Sequence, residues 1–273
     1  MKESKLTPAL DVRPKNEFLG RHLPGSVNIP FSELTQRLHE LPDKGATIRL
    51  VDFGGSESSE AQALLEQRGF LIQPVVATRE ELTESGRSSG RLWQPNLFLM
   101  EALETIKRQP SLPNAPAGAL DVACGSGRDA VYLAMNGFDV DAIDILPDAL
   151  HRANDLASRH GVEIRTLHQD LERQPTLPVG QYDLVVVFRY LQRSLMPALS
   201  KALRPGGYLV YETFHERNRE TGAKPANPDH LLKTGELTST FSELEILIAN
   251  DAFERNGRYF SHILARRRGW DDR

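Results

Sequence analysis

The sequence predicts an α/β chain in two parts, and three patterns carry that prediction. Apolar, β-branched runs of strand length alternate with stretches at helical spacing. One such run, Ala119-Leu120-Asp121-Val122, passes through Ala123-Cys124 into Gly125-Ser126-Gly127 and then into a helix. Another, Tyr182–Phe188, is apolar almost throughout, as a strand covered on both faces must be. At 273 residues the chain is long for one domain and comfortable for two.

The elements follow in order. Residues 9–12 read as a first strand, 31–41 as a helix, 47–52 as a strand and 57–68 as a helix ended by Gly69-Phe70. The segment 83–90 is rich in small polar residues and has the composition of a flexible joint. The expected division is a first domain over 1–84, a linker over 85–95 and a second domain over 96–273. Leu99, Leu103 and Ile106 recur at helical spacing within an expected helix over 97–108, and Pro110 to Pro116 form a second connector. Strands are then expected at 119–122, 140–143, 164–167, 182–188 and 208–212. A helix over 195–203 is closed by Arg204-Pro205-Gly206-Gly207, and an apolar pair, 244–249 and 258–264, comes last.

The turn after residue 122 is the most telling feature. Gly125 and Gly127 let the backbone approach a ligand with no Cβ in the way, and the first amides of the following helix suit a carboxylate or phosphate. Asp144 ends the next strand roughly twenty residues on, where an acid accepts hydrogen bonds from ribose hydroxyls. Ala130 stands where a dinucleotide fingerprint wants a third small residue, so the turn alone leaves the nucleotide-like cofactor open. Phe188-Arg189-Tyr190-Leu191-Gln192-Arg193 begins at the carboxyl end of the fourth strand of this sheet, where ligands gather. Arg189 and Arg193 are candidates for binding an anion, and His215, just past the fifth strand, is a candidate general base. The polar excursion 216–229 exceeds an ordinary loop and is read as a lid over the substrate. Cys124 reads as a small apolar filler behind the turn.

From about Trp93 to Arg267 the chain resembles the class I S-adenosylmethionine-dependent methyltransferases. The resemblance rests on Asp121-x-Ala-Cys-Gly-x-Gly, Asp144, Asp170, Tyr182-Asp183-Leu184, Leu203-Arg204-Pro205-Gly206-Gly207 and the closing apolar pair. Val122 to Asp129, together with the segment from Glu212 to Leu237, looks most like the tellurite-resistance-type branch. The likeness implies a Rossmann-like seven-stranded sheet ending in an antiparallel hairpin, where a dinucleotide-binding sheet would add another crossover helix and parallel strand. It also implies S-adenosyl-L-methionine as cofactor. Asp121 would face the amino group of the methionine moiety, while Ala123, Gly125 and Gly127 would form its cradle. Asp144 and Ile145 would hold the ribose side, Asp170 and Leu171 the adenine, and Phe188 would line the site. Arg189, Tyr190 and His215 would stand on the acceptor side.

Ahead of this part, Ala9-Leu10-Asp11-Val12, Arg13-Pro14-x-x-Glu17-Phe18 and His22-Leu23-Pro24-Gly25-Ser26-Val27-Asn28-Ile29-Pro30 resemble a smaller α/β domain, the rhodanese-like domain. Sulfur transfer in that family needs a cysteine after the strand corresponding to 47–52. Here Asp52 or Phe53 takes its place, and neither can carry a persulfide. The domain is expected to be inactive, serving either as a docking or regulatory module or as a structural unit.

Composition narrows the function further. A net charge of −4 argues against a protein that coats nucleic acid, and Arg266-Arg267-Arg268 reads as a solvated chain end. The single cysteine excludes an intrachain disulfide, no apolar stretch suits a membrane span, and a cytoplasmic location is expected. Neither paired carboxylates nor a metal-ligand cluster stands out, so no metal is expected. The leading expectation is methyl transfer to a small-molecule or anionic acceptor. The alternatives are RNA, as tRNA, or a protein as substrate, with the N-terminal domain as docking surface, or a cofactor-binding regulator without turnover.

Overall fold

The computed structural model describes residues 8–88, 90–109 and 117–269, and divides into two compact units, Met1–Gln94 and Pro95–Arg273. In the first unit, β1 (Ala9–Asp11), α1 (Lys15–Gly20), β2 (Val27–Asn28), α2 (Phe31–Leu34), β3 (Thr47–Asp52), α3 (Ser56–Gln67) and β4 (Leu71–Val76) follow one another. Their strands form a parallel sheet in the order β2-β1-β3-β4. Leu10, Ile29, Leu34, Ile48, Leu50, Ala61 and Leu65 fill its core. Leu92 is buried in the same core, although it falls within the stretch expected to be a linker.

The helix expected over 31–41 stops at Leu34, and a separate tight turn follows at Leu38–Glu40. The cause is a buried cation between the two pieces. Arg37 leaves helical geometry and donates to Glu40 from Nε and Nη2, at 2.7 Å each, and to Glu33 from Nη1 at 2.8 Å. A buried guanidinium must be paired in this way, and a continuous helix is given up for the pairing.

The second unit comprises α4 (Leu97–Lys107), β5 (Gly118–Val122), α5 (Arg128–Met135), β6 (Asp139–Asp144), α6 (Pro147–Arg159), β7 (Arg165–His168), β8 (Tyr182–Phe188), α7 (Met196–Ala202), β9 (Leu203–Phe214), α8 (Asn218–Thr221), α9 (Glu236–Thr240), β10 (Glu245–Arg255) and β11 (Arg258–Arg266). Seven strands lie in the order β10-β11-β9-β8-β5-β6-β7. The pairs among β7, β6, β5, β8 and β9 are parallel, and β11 and β10 close the edge antiparallel. This is the Rossmann-like sheet with a terminal hairpin that the sequence predicted. Strand alternation sorts the core onto two faces. Leu120, Val122, Val185, Val187, Leu209 and Tyr211 pack with α7 and α9, while Ala119, Leu184, Val186 and Val210 pack with α4 and α5.

Two expectations changed in detail. The Arg204-Pro205-Gly206-Gly207 stop is built into the start of β9 as a shift of register between Tyr182 and Leu184. A Cβ on Gly207 would lie 2.9 Å from the Tyr182 carbonyl oxygen. Both hairpin strands also run longer than their apolar stretches, with Ala252 and Asn256 in left-handed conformation and register shifts that absorb extra residues. The connector expected from Pro110 to Pro116 lies outside the described residues.

Because the chain builds β5, β6 and β7 outward in one direction and then returns to lay β8 beside β5, the carboxyl end of β5 is the switch point of the sheet. In open α/β sheets that point is where ligands bind.

Candidate cofactor and acceptor site

The Gly-rich turn leaves β5 at this switch point. Three of its residues are left-handed: Ala123 at φ 59°, Gly125 at 54° and Gly127 at 79°. For Ala123 that conformation costs about 1–2 kcal/mol, and such strain is held in place at functional sites. The turn is tied to the neighbouring strand. Cys124 N donates to the Ile143 oxygen at 2.9 Å, and Gly125 N donates to Asp144 Oδ2 at 2.8 Å. Asp144 is buried and its Oδ1 accepts from Leu146 N at 2.9 Å, so one carboxylate fixes both loops and keeps lone pairs for further donors. Ile145, beside it, is an exposed apolar side chain at the rim.

Asp121 lies in the floor of the site. It is buried, and its Oδ2 has no hydrogen-bond partner among the described residues. Burial, together with repulsion from Asp129 and Asp144, raises its carboxyl well above the usual range, against the opposing donation from the Ala130 amide. A buried, half-satisfied acid is costly unless a cation completes it, and an ammonium group would do so. Cys124 is half-buried, and burial followed by repulsion from Asp121 and Asp144 pushes its thiol well above its ordinary value, as suits a packing residue.

The remaining expected cofactor residues fall along the same rim. Gln169 N donates to the Asp144 oxygen at 3.1 Å, which draws the Asp170 loop against the Asp144 loop. Asp170 is partly buried and its Oδ1 accepts from Glu172 N at 3.0 Å and Arg173 N at 3.1 Å. Leu171 and Phe188 are buried. Tyr190 stands across from this loop. Burial and then repulsion from Glu172, Asp170 and Asp144 push its phenol up to about 12, so it remains a donor at neutral pH.

On the acceptor side, Arg189 ends β8 in a left-handed conformation, φ 57°, with its N–H on the Glu212 carbonyl at 2.9 Å and its side chain exposed. Tyr211 supports the next residue by donating to the Tyr190 oxygen at 3.0 Å.

Two side chains are placed differently from expectation. Arg193 is tied to the excursion, donating to the Glu236 carboxylate at 2.6 Å and to the backbone oxygens of Asp229 and Leu231 at 3.0 and 2.8 Å. It is a brace for that segment, with its donors already used. His215 is buried, its Nδ1 accepting from Arg217 N and its Nε2 facing Thr234 Oγ1, each at 3.2 Å, so neither ring nitrogen is left to a substrate. The excursion contains α8 and is anchored where Leu231 and Leu232 bury into the core, with Leu232 N donating to the Phe214 oxygen at 2.8 Å.

One cluster has no counterpart in the sequence reading. Asn96 N donates to Asp129 Oδ1 at 2.6 Å, its Nδ2 donates to Glu212 Oε1 at 2.8 Å, and its Oδ1 caps Phe98 N at 2.8 Å. Glu212 is fully buried. Its desolvation is outweighed by His262, 3.5 Å away, and by hydrogen bonds from Arg255 and Asn96, which hold the carboxyl below its ordinary value. A glutamate inside an apolar strand was the available signal.

In the first unit, Asp52 occupies the end of β3 and accepts on Oδ1 from Ser58 Oγ at 2.6 Å and Gly54 N at 2.8 Å, which lowers its carboxyl. Phe53 lies under the Arg13 guanidinium at 4.2 Å, beside a cavity of about 360 Å³ that Val12, Gly55 and Ser56 also line. Among the described residues, no helix is long and apolar enough to cross a membrane.

A parallel sheet with a left-handed Gly-rich turn at its switch point, a carboxylate on the next strand and an antiparallel hairpin at one edge defines a Rossmann-like cofactor-binding domain. Residues 119–207 match the family model of a methyltransferase domain, and residues 1–78 match that of a rhodanese-like domain. An uncharacterized protein of Schizosaccharomyces pombe is 26% identical over 94% of this chain and 93% of its own length. A ubiquinone biosynthesis O-methyltransferase of Erwinia tasmaniensis is 30% identical over 37% of this chain, which spans 43% of that relative. Among solved structures, an S-adenosylmethionine-dependent methyltransferase from Clostridium acetobutylicum aligns with a TM-score of 0.51 at 14% identity, over 64% of this chain and 93% of its own. TehB from Haemophilus influenzae aligns with a TM-score of 0.50 at 21% identity, over 62% of each chain; both likenesses concern the fold. The chain is an S-adenosylmethionine-dependent methyltransferase joined to an N-terminal rhodanese-like domain. Its cofactor is S-adenosylmethionine, and the orphaned Asp121 oxygen suits that molecule's ammonium group.

Proposed function

We propose that the protein methylates a small anionic acceptor that docks over Arg189 and Tyr190, with the rhodanese-like domain taking no part in the chemistry. The observation that carries this reading is Arg189. An exposed guanidinium on a left-handed residue, at the carboxyl end of the strand next to the Gly-rich turn, is held where an acceptor must approach. Bound S-adenosylmethionine supplies an electrophilic methyl group on a sulfonium. Asp121 holds the ammonium, the turn from Ala123 to Gly127 offers amides to the carboxylate, and Asp144 accepts from the ribose hydroxyls. Ile145 borders the ribose, Asp170 and Leu171 border the adenine, and Phe188 closes the floor. Arg189 pairs with the acceptor's charge and orients it for in-line displacement, which is chiefly a matter of alignment and water exclusion.

Both ring nitrogens of His215 are engaged, and an acceptor that arrives as an oxyanion, thiolate or carboxylate needs no base. The name of the ubiquinone-biosynthesis relatives supports a small molecule over a macromolecule. In the first unit, the absence of a thiol at Asp52 and Phe53 supports an inactive domain.

Incubation with methyl-labelled S-adenosylmethionine and separated small-molecule, RNA and protein fractions tests the reading, and label is expected in the small molecules. Label in tRNA or protein would replace the acceptor assignment, and label in no fraction would favour a regulator. With the acceptor in hand, Arg189→Ala is expected to raise its KM about tenfold or more at a pH of about 8, where Asp129 stays ionised without the arginine. That is the scale of one lost charge-assisted hydrogen bond.

A further inference from the structure

We propose that Asn96 is a positioning residue for the cofactor site, acting through Asp129 and itself held in place by Glu212 of β9. This rests on the reading that the Gly-rich turn holds S-adenosylmethionine. Asp129 is the second residue of α5, two positions after Gly127, so its carboxylate stands in the helical turn whose amides face the cofactor. The backbone N–H of Asn96 meets that carboxylate at 2.6 Å. The same asparagine cannot drift, because its Nδ2 is bound to Glu212 Oε1 at 2.8 Å and its Oδ1 to Phe98 N at 2.8 Å. Glu212 is fully buried and fixed by Arg255. His262 faces Glu212 at 3.5 Å and stacks on Phe98 at 3.7 Å between ring centres, which clamps the start of α4 from the terminal hairpin. A charged group in the interior of a sheet is expensive unless it holds something, and here it holds the entry of α4.

The consequence is electrostatic. S-adenosylmethionine carries a sulfonium, an ammonium and a carboxylate, a net charge of about +1 at neutral pH, so an ionised Asp129 favours it. The groups acting on Asp129 come from every neighbouring element: the Asn96 N–H before α4, Asp121 on β5, Arg128 on α5, Arg189 after β8 and Glu212 on β9. Burial pushes Asp129 up to about 6; the Asn96 N–H, Arg189 and Arg128 oppose the rise, and Glu212 adds to it. Asn96 therefore keeps the carboxylate ionised at neutral pH. Since the ionised form is the one that binds the cofactor, affinity falls as pH drops through the joint titration of Asp129 and the neighbouring Asp121.

The test is calorimetric titration of the full chain with S-adenosylmethionine from pH 5 to 8. The wild type is expected to lose affinity as pH falls, and Asp129→Asn to lose it less steeply, with only Asp121 left to titrate. Asn96→Ala loosens the donor, which is expected to move the acid limb to higher pH and weaken binding at pH 7 about tenfold. Glu212→Gln removes the charge that raises Asp129 and moves the limb to lower pH. A purely structural role would change thermal stability and move neither limb. Superimposable profiles for Asn96→Ala and wild type would overturn the inference, as would an Asp129→Asn profile that superimposes on that of the wild type. Failure of the wild type to bind at any pH would instead overturn the cofactor reading itself.

Discussion

Gly127→Ala is expected to lose S-adenosylmethionine binding by about a hundredfold and to destabilise the chain by about 2–5 kcal/mol. Two effects add. Gly127 is at φ 79°, where a Cβ costs about 1–2 kcal/mol. That Cβ would also lie 2.5 Å from the Ala153 Cβ and 2.9 Å from its Cα, so the obstacle includes the backbone of α6 and cannot rotate away. Relief requires α5 and α6 to part, and α5 begins with the amides proposed to receive the cofactor. The contrast is Gly125→Ala, where a Cβ meets nothing within 4 Å and only the φ of 54° opposes it. Denaturant unfolding and calorimetry on the two variants separate the clash from the conformational strain. Equal losses at both positions would contradict the packing argument.

Asp144→Ala is expected to weaken the cofactor by at least about a hundredfold, since hydrogen bonds to a charged acceptor are worth about 1.5–3 kcal/mol each. The substitution removes the proposed acceptor for the ribose and also frees Gly125 N and Leu146 N, whose bonds at 2.8 and 2.9 Å set the facing loops. Asp144→Asn keeps one acceptor oxygen and is expected to lose less, about tenfold. An unchanged Kd for Asp144→Ala would show that the ribose lies elsewhere.

What the sequence revealed and what it hid have physical causes. The strands 47–52 and 182–188 have the limits read from the sequence, because uninterrupted apolar runs bounded by turn residues leave little choice. The switch-point turn was equally legible, since strand, Gly-x-Gly and helix are local in the chain. The helix expected over 31–41 failed because a buried Arg37 seeks carboxylates, and apolar spacing does not register that demand. His215 and Arg193 carry the right chemistry for a site, yet their partners, Thr234 and Glu236, come from the start of α9 and the residues before it, whose path sequence alone does not give. The Asn96–Glu212 bond joins residues 116 positions apart, so no window of sequence contains it. Local patterns placed the Gly-rich turn and the strands beside it, and long-range polar pairs decided which side chains are braces.

Calorimetric titration of the wild-type chain with S-adenosylmethionine, and in parallel with NADH, tests the central claim most directly. One saturable site for S-adenosylmethionine, weakened about a hundredfold by Gly127→Ala, with no heat from NADH, is the predicted result. Binding of NADH in place of S-adenosylmethionine, or the absence of any S-adenosylmethionine site, would contradict it.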